Sequence, residues 1–267
     1  MVHNIIRDKG TRLFILLGGF FIANALIAEF IGVKIFSLEG SLGIQQINLN
    51  LFGNTFSFNL TAGVLLWPVV FIMTDIINEY YGQKGVRFLS VLTAVLISYA
   101  FFMFFFAIRL SPADWWPGSK TNVGVPDMQI AYSAVFGQGL WIIIGSLTAF
   151  LIGQLLDVLV FHRIKAITGE KYIWLRATGS TLFSQLIDSF VVLGIAFYIG
   201  PKLDPSSGTP WSLAMLLSIG TGNYLYKFVV AIVLTPVIYA GHSLIDKYLG
   251  KEKAEEMKQA AMKKWHI

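Results

Sequence analysis

Three polar residues at the end of a long apolar run could bind a solute inside a membrane. Asp75, Asn78 and Glu79 close the run that begins LTAGVLLWPVVFIM and are spaced i, i+3 and i+4, so a helix presents them on one face. A charge at the bilayer centre costs about 2.5–3.5 kcal/mol on insertion scales. The stretch therefore predicts either a polar binding site or a helix end whose acids pair with Lys84 or Arg87.

Two further apolar stretches carry polar residues at helical spacing. In IWLRATGSTLFSQLIDSFVVLGIAF, Arg176, Gln185 and Asp188 follow one face, and Asp188 lies near the middle of the segment. In GQLLDVLVF, Gln154 and Asp157 are one helical turn apart. Polar residues at such depth mark functional sites by default, so we predict that these helices share one polar interior.

The composition of this predicted interior indicates the kind of solute. Another stretch, GTGNYLYKFVV, adds Asn223 and Lys227 at i and i+4. The charges are too many to act only as hydrogen-bonding contacts between helices, so we predict a cavity where they pair with each other and with a ligand. Carboxylates and amides suit a ligand with both donors and acceptors, and Trp67 and Phe183 can stack on a flat ring. A small polar heterocycle fits better than a lipid or a bare ion.

The whole chain has the composition of an integral membrane protein. Of its 267 residues, 55% are hydrophobic and 13% are charged, with a mean hydropathy of +0.67, whereas soluble domains carry about 25% charge. There is no cysteine, which excludes disulfides, thiol catalysis and thiolate metal sites. The chain has no H-E-x-x-H motif and only four histidines, all of which we predict to lie near span ends or in the terminal tails. We therefore predict no enzyme activity, no cofactor and no metal.

The long apolar windows predict an all-α membrane domain with six transmembrane helices, each able to cross about 30 Å of hydrocarbon. The predicted spans lie near 12–36, 60–82, 86–108, 133–161, 173–199 and 212–241, and a charged cytoplasmic tail covers 243–267.

The distribution of positive charge predicts the orientation. Most of the 20 Lys and Arg residues precede the first span, follow the last, or lie between spans two and three or four and five. Both termini are therefore predicted to be cytoplasmic. The segment after the first span, LGIQQINLNLFGNTFSFN, alternates apolar and polar residues on both sides of Gly53 and Asn54, which predicts a short extracytoplasmic β-hairpin.

Two blocks of the sequence resemble a known family. The stretch TDIINEYYGQKGVR, and GQLLDVLVF followed by LRATGSTLFSQLIDSFVVLGIAF, are similar to the signature blocks of the queuosine precursor transporters, also called the vitamin uptake transporter or DUF165 family. The resemblance implies a multi-pass importer in the bacterial inner membrane. Its substrates would be 7-deazaguanines such as preQ0, preQ1 or queuine, which feed the queuosine modification of tRNA.

The resemblance suggests roles for the polar residues. A 7-deazaguanine presents N1–H beside its 2-amino group, and a carboxylate can accept both hydrogens. Our hypothesis gives this edge to Asp188 or Glu79, with the neighbouring amides beside them, and gives the preQ1 cation or a proton to Asp75 or Asp157. The expected partners are the small-molecule substrate and the lipid bilayer, with no nucleic acid, and a homodimer is left open. The alternatives are a carrier of another heterocycle, or a substrate-binding component of an ATP-driven vitamin transporter.

Overall fold

The computed structural model describes residues 8–51, 54–169 and 171–263. Its helices are α1 (Lys9–Ile31), α2 (Leu38–Leu42), α3 (Trp67–Arg109), α4 (Met128–Phe136), α5 (Leu140–Thr168), α6 (Ile173–Leu193), α7 (Gly200–Leu203), α8 (Leu213–Leu249) and α9 (Lys251–Lys263). A π-helical segment, Gly194–Ile199, joins α6 to α7, and single 3₁₀ turns lie at Ala62–Leu65, Thr121–Val123 and Pro205–Ser207.

Within the described residues, five helical segments are long and apolar enough to cross a membrane. They are Lys9–Ile31, Trp67–Arg109, Met128–Thr168, Trp174–Leu203 and Leu213–Leu249. Among the described residues, strands account for only four three-residue segments. The fold is therefore that of an all-α membrane protein, as the composition predicts.

The helix α3 contains a reversal of the chain at Gly82. Its 43 residues are about twice the number that a single span needs. Gly82 has φ +70° and ψ −176°, a conformation that is essentially restricted to glycine. Thr74 and Ser90 lie on opposite sides of this point, yet both donate to Oε1 of Gln154, at 2.9 and 3.5 Å. In a straight helix their Cα atoms would be about 24 Å apart, so the two halves of α3 fold back on one another.

An apolar core holds both halves of α3 against α1 and α5. Phe21 of α1 packs with Val70 and Ile77 from the first half of α3, with Leu89 from the second half, and with Phe150 of α5. Burying apolar side chains of this size contributes roughly 1.5–3 kcal/mol each in water, and in lipid the same contacts act through close packing. This core fixes the first half of α3, which carries the acidic stretch, beside α5 and α6.

Three helix ends differ from the sequence-based boundaries. The helix α1 ends at Ile31 instead of continuing to residue 36, because β1 (Ile35–Ser37) pairs antiparallel with β4 (Asn59–Thr61). Because β4 precedes α3, this helix begins only at Trp67. Pro68 lies in its first turn, a position that proline tolerates. At the other end of the chain, α8 continues to Leu249.

The segment between α1 and α3 forms a small folded unit. Strands β2 (Leu49–Leu51) and β3 (Asn54–Phe56) pair antiparallel, and β3 lies against α8. Residues 52 and 53, and with them the Gly53 of the predicted turn, lie outside the described residues. Glu39 is buried and accepts a hydrogen bond from the Phe58 N–H at 3.0 Å. This bond lowers the pKa of Glu39 and fastens α2 to the strand segment.

The C-terminal helix α9 packs against the membrane domain instead of remaining a separate charged tail. Ala254 and Ala261 are buried, and the Ala261 backbone lies beside Gly82. Residues 243–249, predicted to belong to the tail, continue α8. The helix α9 therefore covers the reversal in α3.

Two ion pairs fasten α9 to the rest of the chain. Lys253 binds Asp8 at the start of α1, and Lys258 lies 3.0 Å from Asp246 of α8. The hydrogen bond from Lys253, followed by those from Thr11, lowers the pKa of Asp8. A lowered pKa stabilises the folded state above the unfolded pKa, and that contribution is lost as the pH falls through the folded value. The contact is therefore complete at neutral pH and weakens only in acid.

The reversal at Gly82 predicts a specific sensitivity to substitution. Gly82→Ala places a side chain in a conformation that costs about 1–3 kcal/mol, and its Cβ would lie 3.2 Å from the Ala261 carbonyl oxygen. We expect a lower unfolding midpoint in detergent. The control is Gly19→Ala, because Gly19 is helical and a Cβ there meets nothing within 4 Å. Equal midpoints for the two variants would contradict the assigned role of Gly82.

Candidate functional site

A buried ion cluster on Glu79 joins three helices. Oε1 of Glu79 lies 2.9 Å from Nζ of Lys165 on α5 and accepts a 2.8 Å hydrogen bond from Nη2 of Arg176 on α6. All three side chains are 1% exposed. Arg176 also donates to the Gly169 carbonyl at 2.8 Å and lies 5.9 Å from the Phe161 ring centre. The single negative charge of Glu79 thus pairs with two cations whose burial would otherwise cost more.

This cluster corrects two sequence-based interpretations. Glu79 binds Lys165 and Arg176, so its partners are not Lys84 and Arg87. The predicted fourth span ends at residue 161 and leaves Lys165 in the following loop, but α5 continues to Thr168 and buries this side chain. The reason is geometric: Lys165 lies on the same face of α5 as Gln154, eleven residues or about three helical turns away.

The amides of the predicted site bind partners on neighbouring helices. Oδ1 of Asn78 lies 2.8 Å from Nε2 of His162, and both side chains are buried. Gln154 accepts hydrogen bonds from both halves of α3, as described above, and its Nε2 has no hydrogen-bond partner among the described residues. These two amides connect α3 with α5 and lie behind the cavity described below.

Two buried carboxyl groups share one hydroxyl. Thr181 Oγ1 on α6 lies 3.4 Å from Asp75 Oδ2 on α3 and 3.4 Å from Asp157 Oδ1 on α5. Ser184 Oγ also lies 3.4 Å from Asp157 Oδ1. Asp75 and Asp157 are 1% and 0% exposed. The arrangement places two acids at one point inside the membrane domain.

A second ion pair links α6 with α8. Nζ of Lys227 lies 2.5 Å from Oδ2 of Asp188. The two side chains are 16% and 17% exposed, so this pair is more accessible than the Glu79 cluster. An ion pair at this position can open for a polar ligand at a lower desolvation cost than the buried cluster.

A cavity of about 490 Å³, including its open side, lies between the first half of α3, α6 and α8. Its polar wall is formed by Asp75, Thr178, Thr181, Gln185 and Lys227. Its apolar wall consists of Val64, Trp67, Pro68, Phe71, Ile72, Ala231, Leu234 and Ile238.

The predicted site residues fall into two groups: those that line the cavity and those that lie outside its lining. Trp67, Asp75, Gln185 and Lys227 line it directly. The residues behind or beside it are Asn78, Glu79, Gln154, Asp157, Arg176 and Asp188, which bind one another or neighbouring helices as described. Asn223 is half-buried on α8 and outside the lining. Phe183 is 46% exposed and also lies outside it, because its position on α6 faces away from α3 and α8.

Sequence reasoning missed several residues of this polar interior. The predicted span boundaries put His162 at a span end and Lys165 in the following loop. The sequence pattern assigns no role to Thr74 or Ser90. A helical projection of α5 carries the missing signal for the first two, because Lys165 lies eleven residues, about three helical turns, after Gln154, and His162 lies three residues before Lys165. The hydroxyl groups gave no such signal, since Ser and Thr are common in transmembrane helices.

These features together define a class of protein. Buried ionisable residues on several membrane helices surround a cavity with both aromatic and polar walls, which is the arrangement of a solute carrier.

Comparison with known proteins specifies the class further. Residues 61–241 match the family model described as "Putative vitamin uptake transporter", and the chain belongs to this family. It is a multi-pass transporter protein of the bacterial inner membrane. No solved structure matches the chain.

Curated relatives carry a more specific name. The "Probable queuosine precursor transporter" of Haemophilus influenzae is 30% identical over 184 residues, covering 68% of this chain and 67% of the relative. The protein of the same name from Bacillus subtilis is 30% identical over 197 residues, covering 71% and 75%. The "Queuosine precursor transporter" of Escherichia coli is 28% identical over 199 residues, covering 73% and 76%.

The ion cluster predicts a large loss of stability when its carboxylate is removed. Glu79→Gln takes the negative charge away from two buried cations, and breaking a buried pair costs about 3–5 kcal/mol. We expect the free energy of unfolding in mixed micelles to fall by about that amount. Glu256→Gln is the control, because Glu256 is exposed on α9. A Glu79→Gln protein as stable as this control would contradict the assignment.

Proposed function

We infer that this transporter imports 7-deazaguanine precursors of queuosine, such as preQ0, preQ1 or queuine, for tRNA modification. One observation carries the proposal: the cavity is lined by an aromatic side chain and by buried polar atoms that have no partner among the described residues. Oδ1 of Asp75 and Nε2 of Gln185 have no hydrogen-bond partner among the described residues, and both side chains line the cavity beside Trp67.

The unpartnered atoms complement one edge of the proposed substrate. A 7-deazaguanine offers N1–H as a donor and O6 as an adjacent acceptor, and its 2-amino group lies on the other side of N1. Oδ1 of Asp75 can accept from N1–H or the 2-amino group, and Nε2 of Gln185 can donate to O6. Both protein atoms are buried, so a hydrogen bond from the ligand to each of them contributes to binding. A buried polar atom without a hydrogen bond costs about 1–3 kcal/mol.

The remaining cavity residues suit the body of the ligand. Trp67 offers an aromatic face for the fused ring, and Lys227, bound to Asp188, lines the cavity with a polar group. This arrangement revises the earlier hypothesis about the ring edge, because Glu79 is occupied by two cations and lies outside the cavity lining. The names of the three curated relatives support the same class of substrate.

The topology of the proposed importer has six crossings with both termini in the cytoplasm. The reversal at Gly82 divides α3 into two crossing segments, and the excess of Lys and Arg on one side supports the orientation. The segment that contains β1 to β4 then lies on the extracytoplasmic side. We propose a carrier without catalytic activity, and the chain's own helices supply the translocation path.

A complementation experiment tests this function. Bacteria that lack both precursor synthesis and their own importer would express the protein and receive preQ0, preQ1 or queuine in turn. We expect queuosine to return to tRNA with at least one precursor, as measured by mass spectrometry of tRNA digests. No queuosine with any of the three, in cells whose membranes contain the protein, would refute the proposal.

A matched pair of variants tests the role of Gln185. Gln185→Leu keeps a similar volume but removes the donor to O6, so we expect initial uptake to fall by about tenfold, equivalent to about 1.4 kcal/mol. Gln259→Leu is the control, because Gln259 is exposed on α9. Unchanged uptake in Gln185→Leu, at equal membrane levels, would exclude this residue from the binding site.

A further inference from the structure

The two acids bridged by Thr181 compete for a single hydroxyl hydrogen. A threonine hydroxyl carries one hydrogen, yet Thr181 Oγ1 lies 3.4 Å from an oxygen of both Asp75 and Asp157. Ser184 Oγ lies 3.4 Å from Asp157 Oδ1 and 3.0 Å from the Thr181 carbonyl oxygen, and its one hydrogen can serve only one of them. Oδ1 of Asp75 and Oδ2 of Asp157 have no hydrogen-bond partner in the described part of the chain. One carboxylate is therefore left without a donor from Thr181.

The neighbouring cations bind other acids. Lys165 and Arg176 contact Glu79, and Lys227 contacts Asp188. Among the described residues, no salt bridge reaches Asp75 or Asp157. The described charged and titratable groups of α3, α5, α6 and α8 around the pair are Glu79, His162, Lys165, Arg176, Asp188, Lys227 and His242.

A single proton on one of the two acids gives both of them a hydrogen bond with Thr181. If one carboxyl group is protonated, its O–H donates to Thr181 Oγ1, and the Thr181 hydroxyl donates to the other carboxylate. This removes the repulsion between two like charges buried at one point. The proton can change sides by reversing both hydrogen bonds, so either acid can hold it.

We propose that Asp75, Thr181 and Asp157 form a single-proton site that couples substrate import to proton entry. This inference rests on the proposed function. When Asp75 is ionised to accept N1–H of the substrate, the proton resides on Asp157, which is fully buried and outside the cavity lining. The proton enters with the substrate from the outer side and leaves to the cytoplasm, and only O–H bonds form and break.

Infrared spectroscopy tests the proton site without a substrate. The purified protein in lipid should show a C=O stretching band of a buried carboxylic acid that shifts in D₂O. A shared proton predicts that Asp75→Asn and Asp157→Asn each remove the band from its wild-type frequency, because the hydrogen bond through Thr181 to the second carboxylate is lost. The control is Asp114→Asn, since Asp114 is exposed, and it should leave the band unchanged.

Two spectral outcomes would overturn the site. A band that persists in both variants means that the proton does not belong to this pair. Separate bands, each removed by only one variant, mean two independent acids instead of one shared proton. Either result stands whether or not the protein carries a deazaguanine.

Uptake into liposomes tests the coupling. With preQ0 as the probe and the membrane potential clamped by potassium and valinomycin, an acidic exterior should drive accumulation up to about tenfold per pH unit, because one proton per substrate couples the two gradients. Asp157→Asn should only equilibrate preQ0 across the membrane. Accumulation by Asp157→Asn equal to that of the wild type would overturn the coupling.

The bridging hydroxyl has its own matched pair of variants. Thr181→Val keeps the shape of the side chain but removes the relay, so we expect equilibration without accumulation. Thr181→Ser retains the hydroxyl and should accumulate preQ0 as the wild type does. Accumulation by Thr181→Val would contradict the relay. If the wild type carries no preQ0, the proposed substrate fails, and the infrared result still decides the proton site.

Discussion

The structure depends on the neutralisation of charge around Glu79. Lys165 and Arg176 come from two different helices and meet at one carboxylate oxygen, and all three side chains are almost fully buried. Buried charges are stable only when they are paired and hydrogen-bonded. The cluster therefore fixes the rotation of α3, α5 and α6 about their axes. With that rotation set, Asp75, one turn before Glu79, faces the cavity.

The reversal at Gly82 determines which residues can reach that cluster. Because the chain turns back there, the first half of α3 lies beside α5 and α6, while the second half packs on α1. The helix α9 covers the turn through Ala261. The polar residues thus lie between helices and away from lipid. The cavity forms where α8 leaves space between the first half of α3 and α6.

The sequence predicts much of this arrangement, and particular residues show where prediction ends. Spacing at i, i+3 and i+4 indicates that Asp75, Asn78 and Glu79 share a helical face, and the family follows from two sequence blocks. Helical spacing cannot show which helices meet. The partners of Glu79 and the outward position of Phe183 are consequences of tertiary packing, so they appear only in the structure. The predicted fourth span also ends at residue 161, before Lys165, so the sequence does not predict that this side chain is buried.

The most direct test of this account is the affinity of the purified protein for two versions of one ligand. Calorimetry in lipid nanodiscs would compare preQ0 with its N1-methyl derivative, which cannot donate N1–H to Asp75. A lost hydrogen bond to a buried charged group is worth about 1.5–3 kcal/mol. We predict that methylation weakens binding by at least about tenfold. Equal affinities would contradict the claim that this carboxylate recognises the ring edge.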